Sequence, residues 1–226
     1  MSPGAAPAQV IAIDGPAGAG KSSVARALAE RLGFFLLDTG AIYRALAWQA
    51  LESGIPLDAG ERLAELAANL DIRFLPGRRV TVGDTDVTES IRSPAVSLAA
   101  SQVSAHPKVR EALLEIQRQL ARLGRCVVEG RDIGTVVLPW APCKFFMTAS
   151  AEVRAKRRFD ELAAKGIDVD FASTLAEINE RDRRDETREV APLIAAADAI
   201  RVDTSELGQQ AVIDKMVELA RKRLKL

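Results

Sequence analysis

The chain has 226 residues, 48% apolar and 27% charged, ordinary values for a globular protein with a sizeable core. Thirty-one basic side chains balance 31 acidic ones, so no general attraction to a nucleic-acid polymer or an anionic membrane is expected, and any basic site must be local. No apolar run reaches the roughly 18 residues of a membrane span. One histidine, His106, and two cysteines, Cys126 and Cys143, exclude a His cluster for zinc and a disulfide framework, and fit a reducing, cytoplasmic setting.

Residues 1–9 carry neither a basic nor an apolar signal region and read as a flexible tail. Val10–Ile13 is a short β-branched run of buried-strand type. Ser23–Leu32 reads as a helix with Val24, Leu28 and Leu32 on one face and Gly33 as its stop. Phe34–Asp38 is a second strand, which makes a βαβ unit and implies a parallel sheet. Residues 39–44 then enter a helix. Over Asp71–Thr88 the grammar changes to short alternating pieces broken by Pro76-Gly77 and Gly83-Asp84, a small antiparallel hairpin or meander.

A helix beginning near Pro107 carries Val109, Leu113, Ile116, Leu120 and Leu123 on one face and ends at Gly124. Arg125–Glu129, Lys144–Thr148 and Ala199–Asp203 are further strands. Ala151–Glu189 holds two charged helical stretches around a hinge near Gly166, and Glu206–Leu224 is a final amphipathic helix with a basic end. The expected fold is α/β: a P-loop core of parallel strands flanked by helices over 10–226. It is interrupted by an antiparallel insertion over 60–105 and a helical lid over 151–190.

Gly15-Pro16-Ala17-Gly18-Ala19-Gly20-Lys21-Ser22 fits G-x-x-x-x-G-K-[ST] at every specified position, between a strand and a helix as the P-loop requires. Glycines let successive N–H groups curl around a polyphosphate, and the helix N-terminus adds partial positive charge. Lys21 supplies a point charge for the β/γ-phosphates, and the Ser22 hydroxyl is a ligand for the Mg²⁺ that accompanies ATP. A GTPase switch is disfavoured: neither asparagine, Asn69 or Asn179, is followed by Lys, and no Asp has Gly three places on.

Asp38–Arg44 leaves the second strand and Glu129-Gly130-Arg131-Asp132 leaves the third. In open parallel sheets ligands sit beyond the carboxyl ends of the strands, so Arg44 and Arg131 are candidates for a second anion. Arg181, Asp185 and Arg188 stand at i, i+4 and i+7, one face of one helix. Arg183 and Glu186 read as solvated ion-pair residues. Arg154, Arg157 and Arg158 lie on the preceding helical stretch, and the pair of stretches suits a lid over phosphates. His106 reads as structural, and the two cysteines as inert buried thiols.

Five segments in order carry a resemblance to a known family: IDGPAGAGKSS (13–23), LLDTGAIYRALA (36–47), AASQVSAHPKVREALL (99–114), EGRDIGTVVLP (129–139) and ERDRRDETREVAPL (180–193). The sequence resembles the bacterial cytidylate kinases, nucleoside monophosphate kinases, from about Val10 to the C-terminus. The resemblance implies transfer of the γ-phosphoryl group of ATP to CMP or dCMP by a cytoplasmic monomer, with the insertion as an enlarged monophosphate-binding domain. It places Gly15 through Ser23 at ATP, with Arg157 or Arg158 reaching the ATP phosphates. Lys21, Arg131, Arg181 and Arg188 are implied as catalytic residues. Arg44, Arg131, Arg181 and Arg188 are implied as grips on the CMP phosphate, and Asp185 as the ribose ligand. Ser101, Arg110 and Asp132 would read the cytosine edge, with Thr39, Tyr43 and Gly130 lining the acceptor pocket. Glu129 stands where some relatives carry Asp.

Three other readings remain, of which a P-loop ATPase acting on nucleic acid lacks a strongly basic surface in its charge balance. A kinase for another acceptor, such as a different monophosphate or shikimate, lacks a reason for the 101–132 motifs. A regulatory nucleotide-binding module would bind ATP without a second phosphate site.

Overall fold

The computed structural model describes residues 9–122 and 124–226. Residues 1–8 of the expected tail, and Leu123 on the expected helical face, lie outside that set. Two compact units emerge: one holds the described residues up to Leu37 and those from Leu120 on, the other is Asp38–Gln119.

The first unit is built on a five-stranded sheet. Its strands are β1 (Val10–Asp14), β2 (Phe35–Asp38), β6 (Cys126–Glu129), β7 (Cys143–Thr148) and β8 (Ile200–Asp203), in spatial order β2-β6-β1-β7-β8. β1 pairs parallel with β6 on one side and β7 on the other, and β7 pairs parallel with β8. All five residues of β1 are buried, and Val10–Ile13 is the continuous apolar run expected of a central strand covered on both faces. Helix α1 (Lys21–Leu32) and helix α8 (Gln209–Leu224) join β1, β6, β7 and β8 in one core cluster through Val24, Leu28, Ile213, Met216 and Val217. Two further helices, α6 (Ala151–Ala164) and α7 (Phe171–Thr187), pack on each other, with Phe159 and Phe171 in an edge-to-face contact at 6.2 Å.

The second unit holds the antiparallel sheet β3 (Ile72–Leu75), β4 (Arg79–Val82) and β5 (Thr85–Asp86). It also holds helices α2 (Thr39–Glu52), α3 (Gly60–Ala68), α4 (Pro94–Val103) and α5 (Pro107–Ala121). α2 packs against α3, α4 and β4. His106 supports this unit as a structural residue, its Nε2 lying 2.8 Å from the Leu57 carbonyl oxygen.

Several boundaries differ from the sequence expectation. α1 begins at Lys21, two residues early, because Gly20 takes the left-handed conformation just before it and the lysine itself joins the first turn. α8 begins at Gln209, not Glu206. α5 ends at Ala121, before Gly124, and its inward face takes in Gln117, whose side chain donates to the Leu113 carbonyl; Ile116 and Leu120 are only half-buried. The 60–105 stretch contains α3 and α4 as well as strands. α3 is nine residues with only Leu63 and Ala67 buried, too short for a clear periodic signal. α4 was announced by Ser93-Pro94: Ser93 Oγ accepts from Val96 N–H, and Pro94 opens the first turn. A π-helical turn, Ile133–Val137, follows β6 without any periodic cue.

Arg188 is an expected site residue that leaves its predicted helix, as Lys21 and Ser22 join theirs. α7 ends at Thr187, and Arg188 caps it with extended backbone, φ −62° and ψ 141°. The i+7 spacing therefore overstates the helix by one residue. The side chain is nonetheless buried and reaches Asp185 at 3.6 Å.

Candidate active site

The loop between β1 and α1 is held open by its surroundings. Gly15 sits at φ +143°, and a Cβ there would lie 2.1 Å from the Met147 carbonyl oxygen, so no side chain fits. Three carbonyls of the loop carry side-chain partners. Lys21 Nζ donates to Pro16 O at 2.6 Å, Arg154 to Ala17 O at 3.1 Å, and Thr204 Oγ1 to Ala19 O at 3.2 Å. Because a peptide unit is planar and trans, tying the Ala17 and Ala19 carbonyls to Arg154 and Thr204 turns the N–H groups of Gly18 and Gly20 away from those partners. Gly20 caps α1 with no side-chain hydrogen bond, leaving the first-turn amides to a ligand. Such an arrangement can receive a phosphate group.

At the carboxyl ends of β1 and β6, Ser22 Oγ donates to Glu129 Oε2 at 2.9 Å. The Glu129 residue is buried. A hydroxyl and a carboxylate brought together beside a phosphate cradle are hard oxygen donors of the kind Mg²⁺ takes, with phosphate and water completing the shell. Among the described residues there is no group of three or more His, Cys, Asp or Glu placed to hold a metal by themselves. The residues present fit a metal that arrives with its nucleotide.

Lys21 is buried and lies among cations. Burial, then Arg131, and further on Arg181 pull its pKa well below the usual lysine range, with Glu129 and Asp14 opposing. A polyphosphate placed there would relieve that strain. Arg131 donates to Asp185 Oδ2 at 3.0 Å and to the Gly130 carbonyl at 3.2 Å. Arg188 meets Asp132 at 3.4 Å and Asp185 at 3.6 Å, and donates to the Ala191 carbonyl at 2.5 Å. Burial would raise the Asp185 carboxyl, but Arg131, Arg181 and Arg188 outweigh it and hold the group below its ordinary range. Lys21, Ser22, Glu129, Arg131, Asp132, Arg181, Asp185 and Arg188 are thus drawn into one linked cluster within the first unit.

Asp14 was not singled out from sequence. Its buried carboxylate accepts from Ile133 N–H at 2.8 Å and Gly134 N–H at 2.7 Å, tying the end of β1 to the turn that follows Arg131 and Asp132. Burial pushes its pKa up to about 6 despite those two bonds. Its position immediately before the glycine loop was the available signal.

Arg157 and Arg158 part company. Arg157 donates to Thr204 Oγ1 at 3.1 Å and to the Thr204 carbonyl at 2.6 Å, one step from the loop. Arg158 pairs with Glu161 at 3.1 Å on the half-exposed side of α6. The arginine that bonds the loop directly is Arg154. Arg183 pairs with Glu180 at the surface and Glu186 is exposed, as read. Cys126 and Cys143 are buried free thiols, pushed by burial to about 11 and about 12, and inert at neutral pH.

In the second unit, Asp38 caps α2 by accepting from Ala41 N–H at 3.1 Å and pairs with Arg44 at 2.7 Å. Burial alone would raise Asp38, but Arg44, together with the Ala41 N–H and Arg92, outweighs it and holds the carboxyl below its ordinary range. Thr39 is buried in the first turn of α2. The Arg110 guanidinium lies over the Tyr43 ring at 5.5 Å and donates to the Ser104 carbonyl at 3.3 Å. Ser101 is buried on α4. Tyr43 and Arg110, 67 positions apart in the chain, are neighbours here.

The sequence model of a family described as Cytidylate kinase matches residues 11–222. The cytidylate kinase of Klebsiella pneumoniae (strain 342) is 50% identical over 218 residues, spanning 95% of this chain and 96% of its own. That of Pseudomonas aeruginosa (strain LESB58) is 50% identical over 213 residues, with 92% and 93% covered. Among solved structures, an uncharacterized protein from Eubacterium ventriosum ATCC 27560 aligns with a TM-score of 0.54 at 16% identity, over 95% of this chain and 99% of that one, a likeness of fold alone.

Proposed function

The chain belongs to the cytidylate kinase family, and on that footing we propose how its residues divide the transfer of the γ-phosphoryl group of ATP to CMP or dCMP, giving ADP and CDP or dCDP. The observation that carries the assignment is the crowding of Arg131 and Arg181 about the buried Lys21, with Asp185 among the same arginines. Cations gathered in low dielectric await an anion, and two phosphate-bearing substrates supply it.

The loop amides over Gly15, Pro16, Ala17, Gly18, Ala19, Gly20 and Lys21, with Ser22 and Ser23, take the ATP phosphates. Lys21 exchanges the Pro16 carbonyl for a β/γ-phosphate oxygen. Ser22 and Glu129, hydrogen-bonded to each other, would hold the Mg²⁺ that arrives with ATP. When bound, the metal neutralises charge on the phosphate oxygens. Arg131, Arg181 and Arg188 grip the acceptor phosphate and follow the transferring group, whose loose transition state carries its charge on equatorial oxygens. Asp185 holds those forks in place until a ribose hydroxyl is offered. No general base is needed, because the attacking oxygen of CMP is already anionic, which suits a chain with a single, structural histidine.

The family relationship supports adding Thr39, Tyr43, Arg44, Ser101, Arg110 and Gly130 to the acceptor side, with Asp132 accepting from the cytosine amino group. It also supports 60–105 as the monophosphate-binding insertion and 151–190 as the lid. One of Arg157 and Arg158 completes the ATP side; the bond from Arg157 to Thr204, itself bonded to Ala19, favours Arg157. A cytoplasmic monomer is in keeping with the free thiols and balanced charge. Among the described residues no helix is long and apolar enough to cross a membrane.

Steady-state ADP release with ATP–Mg²⁺ and a panel of CMP, dCMP, UMP, AMP and shikimate tests the reading. CMP and dCMP are expected to accelerate release strongly. Release no faster with CMP than without it overturns the assignment.

A further inference from the structure

Arg154 is the most heavily engaged side chain on α6. Its Nε donates to the Ala149 carbonyl at 2.9 Å, one terminal nitrogen to the Ala17 carbonyl at 3.1 Å, and the other pairs with Asp182 Oδ2 at 2.6 Å. All three nitrogens are therefore used within the protein, and the side chain is only 6% exposed. Its Cβ packs so closely on the glycine loop that a Cβ on Gly18 would meet it at 2.9 Å. Asp182, 14% exposed, stands on α7 directly after Arg181. One guanidinium thus spans from the phosphate-binding loop to the helix that bears Arg181 and Asp185.

The helical geometry gives this contact a consequence. Successive residues turn by about 100°, so Arg181 and Asp185 lie roughly 40° apart on one face of α7 and Asp182 stands about 100° to the side of Arg181. Fixing Asp182 against Arg154 fixes the roll of the helix. The roll decides whether Arg181 comes near Lys21 and whether Asp185 meets Arg131, both of which hold here. The surface pairs along α7, such as Arg183–Glu180, join residues of the same helix and set no roll.

We propose that Arg154 and Asp182 are positioning residues: their ion pair registers α7 against the nucleotide loop, so that donor site and acceptor arginines are aligned as one assembly. The inference rests on the kinase reading above and extends it to two residues that touch no substrate. The pair suits the task because Arg offers a planar fork whose separate nitrogens hold a loop carbonyl and a carboxylate in a fixed relative orientation, whereas a lysine has one nitrogen on a flexible stem. Low exposure keeps solvent from loosening it.

Asp182→Asn, Arg154→Lys and the double variant are compared with the parent enzyme for kcat, KM for ATP, KM for CMP and thermal melting. Asp182→Asn keeps the side-chain shape and is expected to fold, with kcat down about tenfold and KM for CMP raised, because misplacement on the order of 1 Å is enough for such losses. KM for ATP should stay within about twofold in that variant, since the loop keeps its Arg154 bond. The double variant should lose little more than the worse single one, as expected for partners in one contact. A folded Asp182→Asn enzyme with unchanged kcat and KM for CMP overturns the proposal, and so does full additivity in the double variant. A fall in melting temperature with both kinetic constants retained assigns the pair to stability alone and also overturns it. If the parent enzyme itself shows no CMP-dependent ADP release, it is the kinase reading that fails.

Discussion

The Ser22 hydroxyl donates to Glu129 Oε2 at 2.9 Å, joining the first turn of α1 to the end of β6 across 107 positions of sequence. The contact puts a carboxylate beside the hydroxyl expected to meet Mg²⁺. Glu129→Gln keeps the shape and removes the charge. It is expected to lower kcat by about 10²-fold and to raise the Mg²⁺ concentration needed for half-maximal rate. A magnesium titration at saturating ATP and CMP checks this; an unaltered titration curve detaches Glu129 from the metal.

Arg181 and Arg188 approach Asp185 from the same region, Arg188 at 3.6 Å. Arginines that close on a transferring phosphoryl group contribute about 10³–10⁵ where they act as fingers. Arg181→Ala and Arg188→Ala are therefore expected to lose mainly kcat. Arg188→Ala should also lose stability, because it strips partners from buried Asp132 and Asp185. Kinetics and melting curves on both variants decide; unchanged turnover in both removes them from the transition state.

Asp132 is a buried carboxylate near which Arg188 stands at 3.4 Å. Cytosine offers it an amino donor where uracil sets an oxygen against the carboxylate, so the wrong base is repelled. Asp132→Asn should narrow the CMP-to-UMP ratio of kcat/KM by at least about tenfold. A ratio that does not move refutes the base-reading role.

Asp14 gives a stability prediction with a definite sign. Its pKa stands at about 6 in the fold against an ordinary 3.8, because burial disfavours the charged form. Its contribution is therefore fully present below about pH 4 and is lost as pH rises through about 6. Asp14→Asn has no such dependence. The stability of the variant relative to the parent should rise by roughly 2 kcal/mol between about pH 4 and pH 7, whatever the offset between them. Urea unfolding at the two ends of that range measures it, and parallel curves would contradict the raised pKa.

Gly15→Ala is expected to fail at folding, since the new methyl would lie 2.1 Å from the Met147 backbone oxygen and the backbone is at φ +143°. The loss should be roughly 3 kcal/mol or more. Normal melting and normal ATP binding in this variant would contradict the packing described.

Much of the fold was legible because its signals are local. Val10–Ile13 of β1 is an unbroken apolar run, α1 has Gly33 just past its end, and the β3–β4–β5 meander is punctuated by Pro76-Gly77 and Gly83-Asp84. The glycine loop between β1 and α1 was legible for the same reason: its eight residues are contiguous, and they stand between a strand and a helix as expected. α3 was not legible, being nine residues with two buried positions, and the π-helical turn at Ile133–Val137 is set by the Asp14 carboxylate from another strand. Arg188 was placed on the helix because spacing cannot show where the backbone turns away.

The sequence alone determined which chemistry is available: a glycine loop with lysine and serine, a set of arginines with carboxylates among them, no histidine or cysteine to do acid–base or metal work. These are choices of residue type, and residue type is written in the chain. Tertiary structure alone decided which of these groups meet. Ser22 found Glu129, Arg131 found Asp185, and Arg154, not Arg157 or Arg158, took hold of the loop, because the parallel sheet brings strand ends together that lie far apart in sequence. Spacing along a helix reports neighbours within one element. Contact between elements depends on packing, and packing is a property of the whole core.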